Sequence, residues 1–243
     1  MDINDILTEI EYTKERSAKE LFAFFKQKNK ELREWSGSSK AETYSELDKG
    51  LPKKFIFELT PFAYYANTYY GNKPEIRFKP CCGSEQYDGI IFDDNKKIFV
   101  EITTAIDGRK RGLEIELLIE KGSTPWAHNI LGVKGNKTKR NRAASDIITN
   151  NDSPSHKETI CKARELVKKA ANEKCQKSVD PKQPYEENKT ILIITFDDTV
   201  LFIESDRNDL VNFKQAEIDS MKHNFTKIIL FGWISKKFIP EEN

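Results

Sequence analysis

From Asn4 to Trp35, the residues Leu7, Ile10, Ala18, Leu21, Phe22, Phe25, Leu32 and Trp35 fall on or near one stripe among many lysines and glutamates. That is the spacing of an amphipathic helix, with a bend expected near Ser17 and an end at Ser36-Gly37-Ser38-Ser39. Thr60-Pro61 reads as an N-cap followed by a first helical residue, and Gly71 closes a second helix. That helix is dense in rings: Phe62, Tyr64, Tyr65, Tyr69 and Tyr70. They are expected to pack as core against a sheet, with stacking on bases as the alternative. From Pro74 to Pro80, Ile76 and Phe78 alternate with Arg77 and Lys79, which is strand spacing. Two further runs between Tyr87 and Thr104, joined by Asp94-Asn95, form a predicted β-hairpin.

The second half alternates helix and strand. Ser155-x-x-Glu158 is a capping box in front of Ile160, Ala163, Val167, Ala170 and Ala171, a narrow apolar stripe. Gln176 to Lys189 reads as a loop. Ile191 to Phe196 and Lys227 to Trp233 are continuous apolar runs of the kind buried on both faces of a sheet. Between them, Leu201 to Phe213 is mostly helical, with Ser205 as candidate N-cap. Strand, helix, strand implies a parallel pair. The pattern therefore predicts an α/β protein whose mixed sheet is flanked by helices. It divides into an N-terminal helical extension, residues 1–50, and an α/β domain, residues 51–243. The extension packs either on that core, which is the expectation, or on a second copy of itself as the interface of a homodimer.

Composition narrows the class. At 243 residues, with 37% hydrophobic and 33% charged positions, the chain can bury a sizeable core under a heavily charged surface. Its net charge of +1 does not advertise nucleic acid, so local distribution must decide. Cys81, Cys82, Cys161 and Cys175 have no metal-ligand spacing and are expected to be free thiols. The N-terminal residues are acidic where a signal peptide is basic, and no long apolar run follows, so a cytoplasmic protein without membrane contact is expected.

The chemistry lies in the hairpin. With Asp94 and Asn95 as turn residues, counting outward brings Asp88 directly across from Glu101, and alternation puts Phe99, Glu101 and Thr103 on the face of Asp88. Facing carboxylates repel unless one is protonated or a cation lies between them. Hard oxygen ligands suit Mg2+ or Mn2+, and hence phosphodiester chemistry; a solvated turn and an edge glutamate paired to lysine is the plainer alternative. Glu85, three residues before Asp88, is a candidate third metal ligand. Arg109, Lys110 and Arg111 bring three positive charges just beyond the second strand, suited either to a phosphate or to a solvated helix start. No acidic residue occurs between Lys121 and Asp146, whereas Lys121, Lys134, Lys137, Lys139, Arg140 and Arg142 are basic. A stretch of that kind can follow a nucleic-acid backbone, or be an ordinary surface loop. His128 within it is read as a loop residue, and Asp197-Asp198 after the first buried strand as a turn.

The order acidic residue, Gly, apolar strand, polar turn, apolar strand, Glu-x-x resembles the core of the PD-(D/E)xK, or restriction endonuclease-like, nuclease superfamily. The resemblance covers about 20 residues, from Asp88 to Thr103, and its signature is loose. Asp88 matches the family's Asp and Glu101 its Glu, but Thr103 stands where the family has Lys. The resemblance implies a restriction endonuclease-like fold and a Mg2+- or Mn2+-dependent endonuclease acting on DNA, with RNA also open, in restriction, repair or defence. It implies that Asp88 and Glu101 hold metal, that Thr103 assists, and that Lys110 or a neighbouring arginine takes over the missing lysine's role. A catalytically inactive protein of the same fold, binding nucleic acid or a protein, is the second reading. An unrelated α/β protein acting on a nucleotide or small molecule is a third, though no GxGxxG, Walker loop or GxSxG elbow is present.

Overall fold

The structure, a computed structural model, describes residues 3–35, 46–83, 85–94, 96–108, 111–113, 133–134, 148–149, 155–180, 182, 185, 189–199, 201 and 203–239. Its strands are β1 (Arg16–Ser17), β2 (Arg77–Pro80), β3 (Gly89–Asp93), β4 (Lys96–Thr104), β5 (Val133–Lys134), β6 (Ile148–Thr149), β7 (Thr190–Phe196), β8 (Phe225–Gly232) and β9 (Phe238–Ile239). Seven of them make one sheet in the order β1-β2-β3-β4-β7-β8-β9, while β5 and β6 pair separately. β1 to β4 are antiparallel neighbours, β7 runs parallel to β4, β8 parallel to β7, and β9 returns antiparallel. The mixed α/β sheet is therefore as the sequence pattern predicts, including the parallel pair across a helix.

Helices cover both faces. Among the described residues they include α1 (Ile3–Ile6), α2 (Glu9–Tyr12), α3 (Ala18–Glu34), a composite α4, α5 (His156–Ser178) and α6 (Glu204–Phe213), which a π-helical Lys214–Ile218 continues. α4 has three successive segments: Gly50–Lys54, a π-helical Phe55–Leu59, and Thr60–Tyr70. Alternation along β7 divides the core in two. Ile191 and Ile193 join Val100, Ile102 and the helices α3 and α4, whereas Leu192 and Ile194 join Val167, Ala171, Cys175 of α5 and Leu210 of α6. All seven residues of β7 are buried, as a strand covered on both faces must be.

The predicted N-terminal helix is interrupted. Arg16 and Ser17 pair with β2, and Ser17 then caps α3 in a capping box, its N–H donating to Glu20 Oε2 at 2.8 Å while its Oγ accepts from the Glu20 N–H at 3.4 Å. Ile10 is consequently off the apolar stripe and 85% exposed. Leu21, Phe25 and Leu32 of α3 lie in the core shared with α4, so the stripe is covered by this chain's own residues.

α4 begins ten residues before the expected N-cap. Thr60 is helical, and its N–H reaches back to Phe55 O; its Oγ1 donates to the same carbonyl at 3.2 Å. Pro61 supplies the reason: inside an ordinary helix it would lack a donor for the carbonyl four residues earlier and its ring would collide with that group. Widening the preceding turn relieves both. Elsewhere the expected capping box of α5 is formed, but the helix continues to Ser178 into the predicted loop. α6 starts after Ile203, whose N–H donates to Asp206 Oδ2 at 3.3 Å, so Ser205 is not the cap. No helix among the described residues is long and apolar enough to cross a membrane.

Gly89, at the start of β3, meets α4 closely. A Cβ there would lie 2.8 Å from Cε1 and Cζ of Phe62, a ring that is 1% exposed and cannot move aside. Gly89→Ala should therefore destabilise the protein by about 1–3 kcal/mol, the usual range for overpacking. A urea midpoint equal to the parent's would show that the ring gives way.

Candidate functional site

The site is a notch beside β4. β3 pairs with β4 in the expected register, Asp93↔Lys96 through Gly89↔Val100, and goes no further. β4 continues to Thr104, with β7 along its other edge. Phe99 N–H donates to Lys189 O on the β7 side at 2.8 Å, so by alternation the N–H groups of Val100 and Ile102 face β3. At Ile102 the ladder has run out, and its N–H donates instead to Asp88 Oδ2 at 2.6 Å. The Asp88 backbone is tied on both sides, its N–H to Val100 O and its carbonyl from the Cys81 N–H, each at 2.9 Å. Asp88 is thus held by β2 and β4 together.

Glu101 is 5% exposed and forms an ion pair with Lys174 of α5. Burial and the same carboxylate hold the Tyr185 phenol well above its usual pKa, and its ring lies edge-on to Tyr87 at 5.7 Å and to Phe225 at 5.7 Å. Tyr87 in turn stacks on Phe99 at 4.1 Å, so Phe99 and Glu101 face α5 as alternation requires. From the opposite helical layer comes Glu58, in the π segment of α4, which packs against β4. Its Oε2 is buried without a hydrogen-bond partner, the nearest cation being Lys54 Nζ at 3.8 Å.

These carboxylates are short of positive charge. Burial, then the Glu101 and Glu58 carboxylates, push Asp88 up to about 8, against the Ile102 N–H and Lys174 which act the other way. Burial, offset by Lys54 and reinforced by Glu101, raises Glu58 as well. An unsatisfied buried oxygen and hard carboxylate donors fit a divalent cation in chemical kind. Among the described residues no three His, Cys, Asp or Glu side chains already form a metal cage. Mg2+ does not need one, because it keeps several waters and takes one or two carboxylates together with substrate oxygens.

The other expected residues have different surroundings. Glu85 is exposed and accepts the Gly83 N–H at 2.7 Å, a contact within its own loop. Thr103 is half-buried and pairs with Ile194; the cation that meets Glu101 is Lys174, not a residue at position 103. Arg111 is helical and half-buried, its N–H donating to Asp107 O at 2.9 Å. Arg109, Lys110, His128, Lys137, Lys139, Arg140 and Arg142 lie outside the described residues, and Lys134 is placed only as part of β5. Asp198 opens a turn, its carbonyl accepting the Leu201 N–H at 3.1 Å; its carboxylate, in a residue 8% exposed, accepts the Ile234 N–H at 2.6 Å and the Ser235 N–H at 3.1 Å. Of the predicted aromatic core, Tyr65 is fully buried and Tyr64, Tyr69 and Tyr70 pack partly buried against it.

Three residues of the notch, Glu58, Lys174 and Tyr185, escape the motif. Lys174 had a signal: with Val167, Ala171 and Ser178 it shares one face of α5, and a lysine on a buried stripe needs a partner. Compared with protein-family models, curated proteins and solved structures, the chain matches none.

Proposed function

We propose that this protein is a divalent-cation-dependent nuclease that hydrolyses phosphodiester bonds of DNA. The observation carrying this reading is Asp88, fixed by the Ile102 N–H where the β3–β4 pairing ends, next to the buried Glu101 with Lys174 against it. Asp88 and Glu101 would hold Mg2+ or Mn2+, with waters and substrate oxygens completing the shell. When bound, such an ion polarises a phosphoryl oxygen and lowers the pKa of water. The chain's own residues supply the rest. The Ile102 N–H fixes one Asp88 oxygen and leaves Oδ1 for a ligand. Lys174 orients Glu101. Lys174 also brings from α5 the positive charge that the superfamily pattern carries two residues after its Glu, where this chain has Thr103. That charge is suited to stabilising the phosphorane-like charge as it develops.

The deciding experiment is digestion of supercoiled plasmid and of a single-stranded oligonucleotide with Mg2+, Mn2+ or EDTA. Cutting should require the cation and disappear in a folded Glu101→Ala protein. Cutting that survives EDTA or Glu101→Ala would place the activity elsewhere. The presence of Thr103 favours a second reading, an inactive nuclease-fold binder. It would give salt-sensitive DNA binding with no product under any cation.

A further inference from the structure

The two faces of the antiparallel half of the sheet differ. On the side of α3 and α4, Phe78, Ile91 and Val100 are sealed into the core. The strand registers set the opposite side: Lys79, Ile90 and Phe99 form one row across β2, β3 and β4, and Arg77, Phe92 and Lys97 form the next. An antiparallel sheet with one face in the core ordinarily turns polar side chains outward. Here Ile90, Phe92 and Phe99 are large, apolar and half-buried, yet they belong to neither core. The core under α5 and α6 draws its strand residues from β7, β8 and β9 instead.

The remaining positions of these two rows are cations, and β2 to β4 place no carboxylate on this face before Glu101. Arg77 is held at the sheet edge by Glu20 at 3.2 Å and Glu15 at 3.6 Å. Lys79 is half-buried and Lys97 exposed, and neither has an ion pair with a described residue. Lys97 Nζ lies 5.9 Å from the centre of the Phe92 ring. The rows lead to the carboxylates: Asp88 and Glu101 stand on the same face two residues beyond Ile90 and Phe99, or about 7 Å farther along the strands. Tyr87, next to Asp88, stacks on Phe99 at 4.1 Å, so rings continue up to the site.

Lysines alternating with flat rings suit unpaired nucleic acid, whose phosphates take the ammonium groups while its bases stack on the rings. A duplex fits poorly, because its bases are already stacked within the helix. An acidic peptide would satisfy the same cations, but continuity with a phosphodiester site selects nucleic acid. We infer that the outer face of β2 to β4 is a track for an unpaired DNA strand: a base stacks on Phe92, Lys97 and Lys79 take phosphates, and the strand meets the carboxylate row at its scissile bond. The substrate class is then single-stranded DNA, or a duplex with an unpaired flank. The inference deepens the nuclease reading and rests on it for the reaction, not for the binding.

The test is fluorescence anisotropy of a labelled single-stranded oligonucleotide and of the matching duplex, in EDTA so that nothing is cut, with the full chain, Phe92→Leu and Lys97→Gln. Leucine keeps apolar bulk without a ring, Lys97 is exposed, and circular dichroism confirms that both variants are folded. The parent should prefer the single strand by about 10-fold or more, and Phe92→Leu should weaken that binding about 5-fold or more, as loss of one stacked base does. Lys97→Gln should reduce the slope of log affinity against log salt by about 0.7, the share of one phosphate. Equal affinity for the duplex, or variants that bind the single strand as the parent does, would overturn the track. So would self-association in sedimentation that Phe92→Leu abolishes, which gives the face to a second copy of the chain. Cleavage with Mg2+ or Mn2+ is scored separately. Binding that meets these expectations without product under either cation removes the nuclease reading and keeps the track; duplex cutting by both variants at the parental rate keeps the nuclease and removes the track.

Discussion

Asp88→Asn should stabilise the cation-free protein at pH 8 by about 2–4 kcal/mol while abolishing cleavage. The sign follows from Asp88 standing at about 8 in the folded chain against 3.8 for an ordinary aspartate. Between those values the folded state keeps a proton that the unfolded chain has released. Its contribution is therefore fully present below about pH 4 and is lost as the pH rises to about 8. Asparagine has nothing to ionise, and its side-chain oxygen can still accept the Ile102 N–H. Urea unfolding in EDTA at pH 5 and pH 8 checks this: the parent should weaken with pH, the variant should change less, and the gap should narrow at pH 5. Parallel pH profiles would mean that Asp88 is not under strain. Saturating Mg2+ should restore the parent by about 2.7 kcal/mol at a hundredfold excess over the dissociation constant, and not restore Asp88→Asn.

Lys174→Met should be the most damaging single change on α5. It strands Glu101, which is 5% exposed, without its cation; breaking a buried pair from one side typically costs about 3–5 kcal/mol. Removing both partners is a different matter, because no buried charge is left over. Glu101→Gln with Lys174→Met should regain most of the lost stability. Activity separates the two effects: cleavage by Lys174→Met, measured where it remains folded, should fall by about 10²–10³, and the double variant should stay inactive. Full cleavage by a folded Lys174→Met protein would reduce the lysine to a structural counter-charge.

The hairpin was legible because its information is local. A two-residue turn and alternation are enough to set Gly89 opposite Val100 and turn Glu101 to the face of Phe99. The buried strands β7 and β8 were legible as unbroken apolar runs, and the Ser155 to Glu158 box as a pattern that needs no tertiary context. Ser17 and Glu20 carry that same box, obscured by apolar residues on either side that continue a helical spacing. Glu58 was hidden by Thr60-Pro61, whose preference for a helix start is outweighed by helix continuing through a widened turn. Lys174 and Tyr185 reach Glu101 across 73 residues or more of chain. Only packing could bring them there.

The widened turn of α4 is, in chain length, an ordinary helix holding one extra residue. Each residue of an α-helix turns it by about 100°, so a plain insertion would rotate everything after it away from the core. Confining the extra residue to a single bulge lets Gly50–Lys54 and Thr60–Tyr70 keep their faces in phase, with Glu58 in the part that bulges. A chain one residue shorter there, with Pro61 also replaced, could close into a regular helix and keep its core. It would lose the step that carries Glu58 toward Asp88. One codon inside a helix then decides whether Glu58 sits on that step, without a change of architecture.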